Sequence, residues 1–310
     1  MKDNKFLIID SHALLHRGYH ALPSLKTREG KLVNAVYGFS SAFLKSLRDF
    51  FPKYVIAAFD VPGPTFRHKK FKKYKAQRPI QPKEFYQQIP LAKKVLKAFG
   101  VPVFEKAGFE ADDLIGTIVE KISRSQAFPQ PEIIILSGDL DLLQLVGQKV
   151  KTCIISRGIK EMKLYDIEKV KEKYDGLKPC QLADFRGLKG DPSDNIPGLP
   201  GIGKKKAIKL IKKFGNVENL YQEIKKDSPE IDSKTLQQII NFEEEALFFK
   251  EITTIKRNVE LDFKLKEANF LSRYDKEKIM AVFKDLNFET LIKRLEKVER
   301  ELGLGNTLNL

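Results

Sequence analysis

KFLIID, residues 5–10, is a short apolar run of β-rich composition with no helical period and a carboxylate at its end. Without polar alternation it reads as a strand buried on both faces. The form recurs. VIAAFD (55–60) ends on Asp60, and EIIILSGD (132–139) ends on Asp139, with Asp141 two residues later. VPVFE (101–105) and VKTCIIS (150–156) are further strand candidates. Between these runs lie amphipathic stretches of helix length, AVYGFSSAFLKSLRDFF (35–51) and QQIPLAKKVLKAFG (87–100). The β-α-β-α order predicts an α/β fold with a central, mostly parallel sheet flanked by helices. Ligands of such sheets bind beyond the carboxyl ends of the strands, so Asp10, Asp60 and Asp139 are delivered to one edge.

A fourth contribution comes from GFEADDLIGTIVEKIS (108–123), where Glu110, Asp112 and Asp113 crowd the first turn of an amphipathic helix. Acids at a helix N-terminus are favourable by about 0.3–1 kcal/mol each, which accounts for one of them. Three within four residues ask for more. A fifth lies in ADFRGLKGDPSDNIPGLPGIGKKKAIKLIKKFG (183–215), where Asp191 and Asp194 precede a Gly-rich turn. Gly201-Ile202-Gly203 opens a helix whose free N–H groups and dipole favour phosphate, and Lys204, Lys205, Lys206 and Lys209 lie on that helix. The nine acids Asp10, Asp60, Glu110, Asp112, Asp113, Asp139, Asp141, Asp191 and Asp194 cannot all ionise in one pocket without cations. Two Mg²⁺ or Mn²⁺ ions suit hard oxygen ligands and predict metal-dependent phosphodiester chemistry.

VPGPTFRHKKFKKYKAQRPIQPKEF (61–85) interrupts the α/β pattern. It carries Arg67, Lys69, Lys70, Lys72, Lys73, Lys75 and Arg78, with Phe66, Phe71 and Tyr74 between them. A basic stretch is commonly a solvated loop. Aromatics interleaved with cations directly after Asp60 also suit a single-strand surface, where bases stack and phosphates pair. His12, His16 and His20 at i, i+4 and i+8 are a weaker metal candidate, and His20 and His68 are alternatively phosphate contacts. Residues 180–260 read as helical, and the β-branched centre of 247–263 suggests a return to the core.

The net charge of +15 over 310 residues points to a polyanionic partner or reflects a lysine-rich surface. No run of about 18 apolar residues and no signal-like N-terminus is present, so the expectation is a cytoplasmic protein without membrane contact. Cys153 and Cys180 are too few for a disulfide framework or a thiolate zinc site.

NAVYGF (34–39), FDVPGPTFRHKKFKKYKAQRP (59–79), GFEADDLIGT (108–117), SGDLDLLQL (137–145) and GLKGDPSDNIPGLPGIGKKKA (187–207) together resemble the 5′-nuclease domains of bacterial DNA polymerase I, within the flap endonuclease superfamily. The resemblance implies a PIN-like nuclease core over 1–178 with a helical arch at 61–90. It further implies a helix-hairpin-helix DNA-binding subdomain over 179–260, often with a bound K⁺, and a helical tail over 261–310. It implies a first metal among Asp10, Asp60, Glu110, Asp112 and Asp113, and a second among Asp139, Asp141, Asp191 and Asp194. Asp112 and Asp139 are the acids it makes central to catalysis. Lys75 and Arg78 match arch residues that polarise the scissile phosphate, and Tyr19 lies where an aromatic faces the unpaired base.

The implied activity is a monomeric, structure-specific 5′-3′ exonuclease and flap endonuclease acting on 5′-flapped or nicked duplex DNA and on RNA primer junctions. Leu140 and Lys204 to Lys206 depart from the family pattern, which has a basic residue at the first place and a glutamate and a threonine after the hairpin. A reading of another class is a structure-selective DNA-binding module without activity.

Overall fold

The computed structural model describes residues 4–156, 161–226 and 230–304. Six strands form one sheet in the order β3-β2-β1-β4-β5-β6. They are β1 (Lys5–Asp10), β2 (Tyr54–Ala58), β3 (Val103–Phe104), β4 (Glu132–Ser137), β5 (Val150–Ser156) and β6 (Glu161–Tyr165). β1 lies between β2 and β4, parallel to both, with Leu7 opposite Val55 on one side and Ile134 on the other. β6 is antiparallel to β5. The expected parallel sheet is present, with one strand the sequence did not announce.

The helices are α1 (Ser11–Ala21), α2 (Asn34–Phe50), α3 (Phe66–Lys70), α4 (Lys83–Tyr86), α5 (Ile89–Ala98), α6 (Ala111–Arg124), α7 (Ile167–Lys173) and α8 (Leu182–Lys189). They continue with α9 (Lys204–Phe214), α10 (Val217–Ile224), α11 (Ser233–Ile239), α12 (Glu243–Thr253), α13 (Phe270–Arg273), α14 (Lys276–Asp285) and α15 (Glu289–Leu302). The uninterrupted apolar strands follow from helical cover on both faces. Leu7, Ile9, Val55 and Leu136 pack into a layer with Phe39, Phe43, Phe99, Phe283 and Leu295. Phe6, Ile8, Ile56 and Ile135 pack with Leu114, Ile115 and Ile118 of α6.

Gly18 lies inside α1 (Ser11–Ala21), where α2 comes closest. It permits a close crossing, since a Cβ on Gly38 of α2 would lie 2.6 Å from the Gly18 Cα. A third core gathers Leu188, Ile202, Ala207, Ile211, Leu220, Tyr221, Ile239 and Ala246 from α8 to α12. After α12 the chain returns to the sheet as extended backbone, not as a strand, and buries Ile255 and Val259 against α6. The segment read as a helical tail is part of the main core, because α14 packs on α5 and α15 on α2. No helix among the described residues is long and apolar enough to cross a membrane.

Candidate active site

The carboxyl ends of β1, β2 and β4 point at the start of α6, and this meeting builds a cleft of about 860 Å³. Asp10 caps α1 and accepts from the Ala13 N–H at 3.2 Å and from the Ser137 hydroxyl at 2.5 Å. Asp60, two residues past β2, accepts from the Ala111 N–H at 2.7 Å. Glu110 caps α6, and Asp112 stands in its first turn. These four and Asp139 line the cleft with His12, His16, His20, Lys75 and Arg78. Five of the nine expected acids therefore face one space.

Asp141, Asp191 and Asp194 stand just behind. The Asp141 N–H donates to Asp139 at 2.8 Å. Arg186, buried in α8, pairs with Asp141 and lies 3.3 Å from Asp191. Asp194 accepts from Arg78 at 2.6 Å and from the Tyr74 hydroxyl at 2.9 Å. The same hydroxyl lies 3.2 Å from Glu110, so its one proton serves either acid. Sequence reading took Tyr74 for an exposed stacking residue; it is 3% exposed and joins two acids. Arg186 was missed, although a cation in an apolar helix turn three residues before Lys189 is a signal that buried acids lie near.

The ninth acid, Asp113, is not in the cleft. It is fully buried and takes both guanidinium nitrogens of Arg67, at 2.7 and 2.8 Å. It also accepts from the Glu110 and Lys256 N–H groups. Successive helical residues point about 100° apart, so Asp112 and Asp113 cannot both face one site. Arg67, expected on the DNA surface, is likewise 3% exposed and belongs to this pair. Both assignments are corrected by burial: neither side chain is accessible to a metal in the cleft or to a phosphate.

Burial raises Asp10 to about 7, helped by repulsion from Asp60 and Asp139 and opposed by the Ser137 bond. Burial also raises Asp141 to about 7 against the pull of Arg186. Asp112 is pushed well up by burial and by Asp139 and Asp10. For Glu110 burial opposes ionisation, but Lys75 and Arg67 outweigh it and hold the carboxyl low. Lys75 Nζ lies 2.8 Å from Glu110 and 3.9 Å from Asp194. Burial lowers His12, and it lowers His16 to about 4, so these rings line the wall uncharged near neutral pH.

Among the described residues no three acid, histidine or cysteine side chains surround one point closely enough to hold a metal as they stand. Lys75, Arg78 and Arg186 take the nearest places around the acids. They do not neutralise the set: burial, with repulsion between neighbouring acids, pushes Asp10 and Asp141 up to about 7 and Asp112 well up. An all-oxygen donor set with unmet negative charge fits hard divalent cations.

The 61–90 segment is two short helices, α3 and α4, joined by turns that pack on the 191–195 loop through the Lys75 N–H to Asp194 O at 3.0 Å and Asn195 Nδ2 to Lys73 O at 2.7 Å. Lys69, Lys70, Lys72 and Lys73 are exposed on it. On the far side Gly201, Gly203, Lys204, Lys205 and Lys209 are exposed, while Lys206 is half-buried on Gln238. The Ile202 side chain lies in the helical core, which leaves its backbone as the part of this residue that belongs to the turn. Tyr19 is half-buried, edge-on to Phe85.

Residues 5–175 match the family model of the 5′-3′ exonuclease N-terminal resolvase-like domain, and residues 177–277 match that of the 5′-3′ exonuclease C-terminal SAM fold. The chain belongs to the 5′-3′ exonuclease family. Within it, the chain is 40% identical over 305 residues to DNA polymerase I of Bacillus subtilis, covering 98% of this chain and 34% of the relative. It is 39% identical to DNA polymerase I of Chloroflexus aurantiacus, over 94% of this chain and 31% of the relative. The chain thus spans about a third of the length of these relatives. The 5′-3′ exonuclease fold is shared with a solved T5 5′-exonuclease that carries bound divalent zinc, with a TM-score of 0.65 at 20% identity over 91% of this chain and 98% of that one.

Proposed function

We propose that this chain is a structure-specific 5′-3′ nuclease, an exonuclease and flap endonuclease that hydrolyses DNA and RNA-primer strands at branched or nicked duplexes during replication and repair. The observation that carries the reading is the single cleft in which Asp10, Asp60, Glu110, Asp112 and Asp139 face Lys75 and Arg78. Carboxylates alone repel a phosphodiester; two cations that reach in from another segment offset part of that charge and leave the rest to bound metal. Two Mg²⁺ or Mn²⁺ ions, held by Asp10, Asp60, Glu110 and Asp112 on one side and by Asp139, Asp141, Asp191 and Asp194 on the other, would supply charge neutralisation and an activated water.

The chain's own groups do the rest. Lys75 and Arg78 are placed to pair with the phosphate oxygens as charge builds on them. Arg78 is held for this by Asp194 and the Ser193 carbonyl. Lys69, Lys70, Lys72 and Lys73 offer the single strand a cationic path, and half-buried Tyr19, backed by the buried Phe85, offers an aromatic edge. The 198–203 turn, Lys204, Lys205 and Lys209 grip the duplex backbone, with K⁺ as a candidate ion at the turn. In this reading 1–178 is the nuclease core, 179–260 the duplex-binding unit and 261–310 the C-terminal helical tail, of which 305–310 lie outside the described residues.

One observation favours the inactive DNA-binding module: the acids are already paired with Lys75, Arg78 and Arg186. Cleavage of a 5′-labelled flap duplex in Mg²⁺, Mn²⁺ and EDTA separates the two. Metal-dependent cutting near the junction supports the nuclease; binding without cutting in either metal supports the module.

A further inference from the structure

Asp113 and Arg67 are buried charged residues beside the cleft, and neither lines it. Their contacts reach three parts of the molecule that the proposed function uses separately. Arg67 sits in α3, at the root of the 61–90 segment, and its Nη1 and Nη2 donate to the two Asp113 oxygens. Its Nε donates to the Ile252 carbonyl at 2.8 Å and its Nη2 to the Thr254 carbonyl at 2.9 Å, both where α12 leaves the helical unit. Asp113 accepts from the Lys256 N–H at 2.9 Å and from the Glu110 N–H at 3.1 Å. Arg67 Nη1 also lies 3.8 Å from the Glu110 carboxylate.

The bidentate geometry fixes both position and orientation, which a single ammonium would not. Every guanidinium nitrogen is used, so the pair cannot slide without leaving a buried donor or acceptor unmet. Glu110 is the acid most exposed to this constraint: its backbone is pinned by Asp113, while its side chain is shared by Lys75, Tyr74 and the field of Arg67.

We propose that Arg67 and Asp113 are a positioning pair, not a DNA contact and a metal ligand, that sets the Glu110 carboxylate and the root of the Lys75–Arg78 segment against the end of the duplex-binding helices. The inference rests on the nuclease reading above. It differs from a bland structural ion pair in what it predicts: loss of either partner should displace Glu110, and so weaken divalent binding, even where the fold survives.

The test is Mn²⁺ binding by calorimetry on the DNA-free full chain, with thermal denaturation alongside, for wild type, Arg67→Met, Asp113→Asn and the paired Arg67→Met/Asp113→Leu. The paired variant removes both charges at once, so no lone buried ion is left, although the Glu110 and Lys256 N–H groups and the Ile252 and Thr254 carbonyls lose their side-chain partners. Residues that orient ligands from behind typically cost about 10–100-fold in metal affinity when changed. A positioning pair gives about that loss in both single variants, and the paired variant, still melting cooperatively but below wild type, keeps the metal loss at no more than that of either single. A loss confined to the Asp113 variants would make Asp113 a ligand and overturn the inference. Wild-type affinity in a folded paired variant would leave a purely structural bridge and overturn it as well. If wild type itself bound no Mn²⁺ at millimolar concentration, the metal reading would fail first; binding in wild type with unchanged variants defeats the inference alone.

Discussion

Lys75 holds a left-handed backbone, φ +53°, and from it places Nζ 2.8 Å from the Glu110 carboxylate. That conformation is uncommon for a residue with a Cβ and is kept here by the Asp194 carbonyl, which accepts the Lys75 N–H. The strain aims an ammonium into the acids, where it occupies space that a divalent ion and a phosphate would share.

Lys75→Ala is therefore expected to act in two directions. Removing one pre-placed cation should lower single-turnover cleavage about 10²–10³-fold, the loss typical of one charge-stabilising donor. Metal binding without DNA should hold or tighten, because a repelling charge has gone. Stopped-flow cleavage and calorimetry measure the two effects; a parallel loss of both would show that Lys75 supports the fold of the site rather than the phosphate.

Tyr74→Phe removes the hydroxyl shared by Glu110 and Asp194 while keeping the ring. The two buried acids lose the one donor they share, so the variant should be less stable by about 1–3 kcal/mol in urea unfolding. The same change at an exposed tyrosine would be silent.

Asp10 and Asp141 stand at about 7 without metal, raised from the ordinary carboxylate value mainly by burial. Their protons compete with the divalent ion. At pH 6 both acids are largely protonated, so metal binding should release protons and be weak. Affinity should rise through pH 7 as Asp10 and Asp141 lose their protons, and these two should release fewer on binding as pH rises. Calorimetry in buffers of different ionisation enthalpy measures the released protons; a release that grew with pH would contradict the assignment.

How much of this was legible in the sequence depended on burial. β1, β4 and β5 were readable because two-sided cover leaves no polar alternation. β6, EMKLY, escaped because an edge strand with exposed Glu161 and Lys163 has too little apolar content to stand out. The acids at strand ends were readable from topology alone. Asp113 was misplaced because residue type and spacing show that acids begin a helix but not which way each points. Arg67 was hidden in a run of solvated lysines, where only the fold distinguishes a buried guanidinium from its neighbours.

Duplex affinity should fall steeply with salt, and Lys205→Ala or Lys209→Ala should each reduce the slope of log K against log salt by about one. Both side chains are exposed on α9. Ile202→Ala, in the same motif, should leave the slope unchanged and cost about 2–5 kcal/mol in stability, since its side chain packs in the core.

The most direct measurement is cleavage of a 5′-labelled flap duplex by wild type and Asp139→Asn in Mg²⁺, with duplex affinity measured in parallel. If the acid cleft is the catalytic centre, wild type cuts near the junction, and the variant binds as well as wild type but cuts at least about 10²-fold more slowly, as loss of a charge-stabilising group requires. An unchanged rate in Asp139→Asn would contradict it.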